Sequence, residues 1–335
     1  VRLVRAELER LGSRRFVQLM LVLLVLAFGV TAATTLASSH RPSAAEVQNA
    51  RAEAARQIRA LEQEYDRCVA ARQGRVTPDE FGMDQYPTSC ADLDPGRIER
   101  LPVTTDYLSG VFVFANEAKG LLYFLIAFLV LFGFLVGASY IGADLNSGGV
   151  VNLLLWRPRR LTVLAAKLGT LLGAVLVVSV AASLLYLGAF WLIAQVAGLP
   201  GTLDGDFWQA LAALHARGLV LVGLAAALGF ALATLGRHTA AALGTVAAYA
   251  VVWELGARLV MEIVGVRRVD QWMLSSHIGA WLTGRIELWD PALCDANGCR
   301  GMYVLTSGSA LLVLGGLTGA LCLAAFATFR RRDLI

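Results

Sequence analysis

Six long apolar runs, at about 16–38, 120–141, 161–197, 212–235, 240–264 and 304–328, alternate with polar and charged segments along the chain. A helix needs roughly 20 mostly apolar residues to cross a bilayer core, so each run predicts one membrane span. The first is expected to be a retained span. A cleaved leader ending near Ala33 or Ala37 is the alternative, but its apolar stretch would be shorter. Run three is the longest: 161–197 reaches ~55 Å as a helix, against a ~30 Å hydrocarbon core. Either it begins outside the core, so that Lys167 stays near the headgroups, or it breaks near Gly169 and Gly173.

The segments between the runs carry their own patterns. Residues 1–15 set Val1, Val4, Leu8 and Leu11 on one helical face and Arg and Glu on the other, the pattern of an interfacial helix lying on membrane lipids. The long insertion 39–115 opens with a predicted helix over 43–73. There Val47, Ala54, Leu61 and Cys68 recur every seven residues beside Ile58 and Tyr65, and Gly74 ends the helix. Pro, Asp and Gly then predict irregular chain to about 106, held at Cys90. Asp92 and Asp94 lack the calcium-loop pattern and read as a solvated loop. The segment 265–303 holds Trp272, Trp281 and Trp289, which suit helices at or dipping into a membrane interface.

Composition agrees: 57% of the 335 residues are hydrophobic and only 16% charged, which excludes an ordinary soluble domain. Charge adds orientation. Arg2, Arg5, Arg10, Arg14 and Arg15, then Arg157, Arg159, Arg160 and Lys167, then Arg237, then Arg330, Arg331 and Arg332 all fall on one side of six alternating spans. By the positive-inside rule that side is cytoplasmic, with both the N-terminus and the tail 329–335. The net charge of +4 is accounted for by these flanks and calls for no nucleic-acid partner. Cys68 and Cys90, and Cys294 and Cys299, then face outside, where disulfides persist. Bridges 68–90 and 294–299 are expected, the second folded by the turn dipeptide Asn297-Gly298, with Cys322 free inside a span.

Catalytic and metal motifs are missing. No P-loop, His-Glu-x-x-His or Gly-x-Ser-x-Gly occurs; His40, His215, His238 and His277 are scattered, and no zinc spacing surrounds the cysteines. No enzyme, metal site or cofactor bound by this chain is expected. Inside the spans, Glu254 and Arg258 stand four apart and are expected to pair, either lining a translocation path or reaching to the headgroups, with Glu262 interfacial.

The most informative segment is Gly142-Ala-Asp-Leu-Asn-Ser-Gly-Gly-Val-Val-Asn-Leu-Leu-Leu-Trp-Arg-Pro-Arg-Arg160. Asp144 and Asn146 open it, Val150, Val151, Leu153, Leu154 and Leu155 form an apolar face, and Trp156, Arg157 and Pro158 close it before the basic cluster. A plain connecting loop has no use for that much apolar surface. A short helix held between two spans can turn a push from a soluble partner into tilting of both.

With Leu161-Thr-Val-Leu-Ala-Ala-Lys167 after it, this segment resembles the coupling region of ABC-2 type transporter permeases. The family's usual Glu is Asp144 here, and its usual Gly-Thr pair is Gly148-Gly149. The resemblance implies an all-α polytopic membrane protein. Its parts are an N-terminal interfacial helix, six spans, the cytoplasmic coupling segment 142–160 and a helical extracellular insertion. It further implies a bacterial plasma-membrane exporter of two permease copies, a homodimer, with two ABC ATPase subunits that hold the ATP and Mg. Asp144, Val151, Leu154, Leu155, Trp156, Arg157 and Pro158 would meet the ATPase, and the cargo would be a hydrophobic or amphipathic drug, peptide or lipid. The alternative is a non-transporting signal relay or scaffold with an extracellular sensing stalk.

Overall fold

A computed structural model of the chain describes residues 2–75, 89–97, 101–147, 160–290, 294–295, 298–299 and 301–331. Nine helices are described: α1 (Arg2–Gly12), α2 (Arg15–Ser38), α3 (Ala44–Arg72), α4 (Phe114–Asn146), α5 (Arg160–Ala197), α6 (Gly205–Gly236), α7 (Thr239–Val264), α8 (Leu274–Thr283) and α9 (Ser307–Arg331). Six of them, α2, α4, α5, α6, α7 and α9, are long and apolar enough to cross a membrane. Helix α5 runs unbroken through Gly169 and Gly173. Across Tyr249–Ala257 the turns of α7 widen into π-helix.

The chain forms two compact units. One comprises Thr31–Glu117 and Ala189–Leu203. Its main element, α3, starts at a capping box: Ser43 Oγ accepts from Glu46 N at 3.3 Å, and Glu46 Oε2 accepts from Ser43 N at 2.7 Å. Of the predicted apolar stripe Ala54 and Cys68 are buried, as are Ala50 and Ala71 outside it, and the helix packs against a 3₁₀ turn at Thr104–Tyr107. The helix stops before Gly74, whose φ of +68° suits a residue without a Cβ. Cys68 is bridged to Cys90, at the head of a short 3₁₀ turn. Two-residue strands β1 (Phe112–Val113) and β2 (Gly198–Leu199) pair in parallel. There Ser39 Oγ accepts from Phe112 N and donates to the Ala197 carbonyl.

The other unit comprises Val1–Val30, Ala118–Gly188 and Asp204–Ile335. Its centre is the contact between α4 and α6, which meet backbone to backbone. A Cβ on Gly137 would lie 2.3 Å from the Ala226 carbonyl oxygen, and one on Gly229 would lie 2.3 Å from that of Phe134. Small residues give membrane helices this close approach, because dispersion between backbones takes the place of the hydrophobic drive that lipid removes. Helix α9 packs on α6, and α8 packs on α9. Helix α7 turns back from α6 at Arg237, in left-handed conformation, and His238, whose Nδ1 caps Ala240 N at 3.0 Å; little of it is buried.

The segment 265–303 departs from the expectation of interfacial helices alone. After a 3₁₀ turn at Val269–Trp272 and α8, strand β3 (Arg285–Trp289) pairs antiparallel with β6 (Met302–Thr306). Val304 and Leu305, assigned to the last span by hydropathy, belong to β6, and α9 starts at Ser307. A short apolar run bounded by turn residues is equally consistent with strand or helix, and the partner strand decides it. Between them β4 (Cys294–Asp295) and β5 (Gly298–Cys299) pair with Cys294 opposite Cys299.

Candidate functional site

Val151, Leu154, Leu155, Trp156, Arg157 and Pro158, the residues the sequence offers for docking, lie outside the described residues. The structure does describe what holds the two flanks of that segment, and it is a buried cluster of charges. Asp144, which opens the segment, sits in the last turn of α4; Lys167 lies two turns into α5, just after it. Lys167 Nζ is 2.8 Å from Asp144 Oδ2 and 2.7 Å from Glu7 Oε2 on α1. Arg14, at the junction of α1 and α2, pairs with the other oxygen of Asp144 and donates to the Ser139 carbonyl at 3.2 Å. Tyr140, one turn before Asp144, donates its hydroxyl to Glu7. Its ring lies beneath both cations, 4.8 Å from Lys167 Nζ and 5.1 Å from Arg14 Cζ.

The cluster is dry. Lys167 is 1% exposed, Glu7 3% and Asp144 6%. Two carboxylates face two cations, so the charges balance, and each carboxylate has at least two donors. Burying ions in this way is costly unless they are paired and hydrogen-bonded. Removing one partner would therefore disturb three helices at once. Arg10 Nη1, 3.8 Å from Glu7 Oε1, links the cluster to the exposed face of α1.

This geometry bears on three readings of the sequence. Lys167 is paired with two carboxylates inside the bundle. On α1, Glu7 is buried beside Leu11, whereas Leu8 is 44% exposed. Asp144 is engaged within the bundle, not offered at a surface. Glu7, Arg14 and Tyr140 escaped sequence reasoning. Glu7 did leave a signal, since it stands four residues from Leu11 and three from Val4 and so interrupts an apolar stripe.

Glu254 and Arg258 are not partners. Glu254 Oε1 accepts from Tyr249 Oη at 2.9 Å and from Ser275 N at 3.0 Å, and Oε2 accepts from Ser275 Oγ at 2.9 Å. Arg258 pairs with Glu262 at 3.0 Å and with Asp270 at 3.1 Å. The expected i, i+4 pairing assumes α-helical turns. The π turns of Tyr249–Ala257 put residues five apart, not four, on one face. Among the tryptophans, Trp281 donates to the Arg217 carbonyl at 2.8 Å, while Trp272 and Trp289 are exposed. The Cys68–Cys90 bridge is present and Cys322 is free. Among the described residues no cluster of His, Cys, Asp and Glu could hold a metal ion.

Residues 4–334 match the family described as ABC-2 family transporter protein. Neither a curated protein nor a solved structure gives a match.

Proposed function

Because the chain belongs to the ABC-2 family of transporter proteins, as a multi-pass permease subunit that works with an ABC ATPase, we propose that it is the membrane half of an ATP-driven exporter in a bacterial plasma membrane. Two copies of the chain join two ATPase subunits, and ATP and Mg²⁺ belong to those partners. Both termini and the segment 142–160 face the cytoplasm. Val151, Leu154, Leu155, Trp156, Arg157 and Pro158 meet the ATPase, and Asp144 anchors the segment behind them.

The observation that carries this reading is the buried cluster of Glu7, Arg14, Tyr140, Asp144 and Lys167. Through it, α1, α4 and α5 grip both flanks of the docking segment, so a push on that segment is delivered to whole spans and not lost in a loose loop. A rigid, paired contact of this kind is one physical means of carrying such a push. A hydrophobic or amphipathic cargo is supported by a groove of about 580 Å³ along α5, lined by Leu8, Ala166, Gly169, Gly173 and Val177 and almost wholly apolar.

The test is co-purification of the chain with an ABC ATPase subunit produced together with it. Leu154→Asp is expected to release the ATPase while the chain still inserts and folds. Retention of the ATPase by charged variants at Val151, Leu154 and Leu155 alike would refute the docking role.

A further inference from the structure

Helix α8 is held at both ends by charges borne on two different spans. At its N-terminus, the amide of Ser275 donates to Glu254 of α7 at 3.0 Å, and the amide of Leu274 donates to the Tyr249 hydroxyl at 3.2 Å. Met273, its own N-cap residue, supplies no side-chain cap, so these groups of α7 do that work. At the C-terminus, Arg217 Nη1 of α6 donates to the Leu282 carbonyl at 3.3 Å, and Trp281 returns a bond to the Arg217 carbonyl at 2.8 Å. Gly284 makes room, since a Cβ there would fall 2.9 Å from the guanidinium. An anion at the N-terminus and a cation at the C-terminus both complement the helix dipole.

The N-terminal end depends on the π turns of α7. Tyr249 and Glu254 are five residues apart and hydrogen-bonded to each other at 2.9 Å. In an α-helix residues five apart point ~140° away from one another, whereas the i→i+5 ladder of a π-helix stacks them. The covered positions follow that register: Tyr249 and Glu254 are half-buried, while Val251, Val252 and Leu255 are more than 60% exposed. Little else in the unit covers α7. Trp253 adds a bond to the Trp272 carbonyl at 3.0 Å, just before α8.

We propose that Tyr249, Glu254 and Arg217 are positioning residues that seat α8 as a strut between α6 and α7, and that this seating holds α7 in its π form. Release of Glu254 lets Tyr249–Ala257 rewind to α-helix and turns the exposed face of α7 relative to α6. The inference needs no ATPase and stands apart from the transport reading.

The test uses the full chain in lipid nanodiscs, with amide hydrogen exchange read by peptide mass. Glu254→Gln and Tyr249→Phe are expected to speed exchange at least tenfold in the peptide covering Leu274–Ser275 and to slow it in the peptide covering Tyr249–Ala257, whose amides pass from the rarer π ladder to an α-helical one. A strut that merely adds stability would leave the second peptide unmoved, and that result would overturn the proposal. The charge-reversed pair separates seating on α8 from direct attraction between the two side chains. Because the dipole of α8 is fixed, Glu254→Lys with Arg217→Glu should be no better folded than the worse single variant. Recovery of folding in the double variant would show that the two residues act on each other, and would also overturn it.

Discussion

Lys167 Nζ lies 2.7 Å from Glu7 Oε2 although 160 residues separate them, and neither side chain is more than 4% exposed. That one contact binds the first helix of the chain to the start of the span that follows the docking segment. It also defines what substitution there must do. Lys167→Met alone leaves Glu7 and Asp144 facing each other without their shared cation, and should cost about 3–5 kcal/mol. Adding Glu7→Gln, which leaves Asp144 paired with Arg14 and the charges balanced, should recover most of the loss. Thermal denaturation of the detergent-solubilised chain, read by size exclusion, would expose the opposite order.

The α4–α6 contact makes a second expectation. Gly137→Ala places a methyl 2.3 Å from a carbonyl oxygen of α6, so the helices must part and the folded yield should fall sharply. Gly169→Ala, with nothing within 4 Å of its new Cβ, should be close to neutral. Equal yields from the two variants would mean that α4 and α6 do not meet at this face.

Mass mapping without reductant should recover Cys68 joined to Cys90, with Cys322 alkylated. The backbone register that sets Cys294 opposite Cys299 predicts a second joined pair. Loss of the first bridge, which spans a sequence separation of 22, should cost ~3 kcal/mol in the loop-entropy picture. Full alkylation of Cys68 or Cys294 in the unreduced chain would contradict the pairings.

Helix α3 should loosen in acid in a defined window. Two bonds from Ser43, backbone first and then side chain, lower the Glu46 carboxyl from its ordinary 4.5 to about 2. A depressed folded pKa contributes stability that is complete above the unfolded value and lost as pH falls through the folded one. The cap of α3 should therefore weaken between pH 4.5 and 2, and Glu46→Gln should flatten that part of the profile. Amide exchange at the first turn of α3 against pH is the measurement, and an unchanged slope in the variant would be the adverse result.

The spans were legible because a bilayer demands long apolar runs, and long runs survive errors in detail. The stripe of α3 was legible for a similar reason: Ala54 and Cys68 recur with a helical period over many turns. What the pattern concealed was pairing at a distance. Nothing local says that Glu7 meets Lys167, since hydropathy scores each as a polar interruption. Glu254 and Arg258 show the opposite failure. Their spacing suits a pair on an α-helix, but the helix here is π-wound, and no local residue pattern announces π turns. At 302–306 the backbone chose strand over helix, for a partner that hydropathy does not name.

The backbone contact of α4 with α6 has a mechanical consequence. Two helices whose carbonyls touch at Gly137 and Gly229 have no side-chain layer in which to slip, so neither can roll without climbing over the other. They act as a single beam. Motion in this unit must then be carried by helices that keep a layer of side chains or lipid around them, and α7, most of whose surface meets none of the other described residues, is the one best lubricated to move.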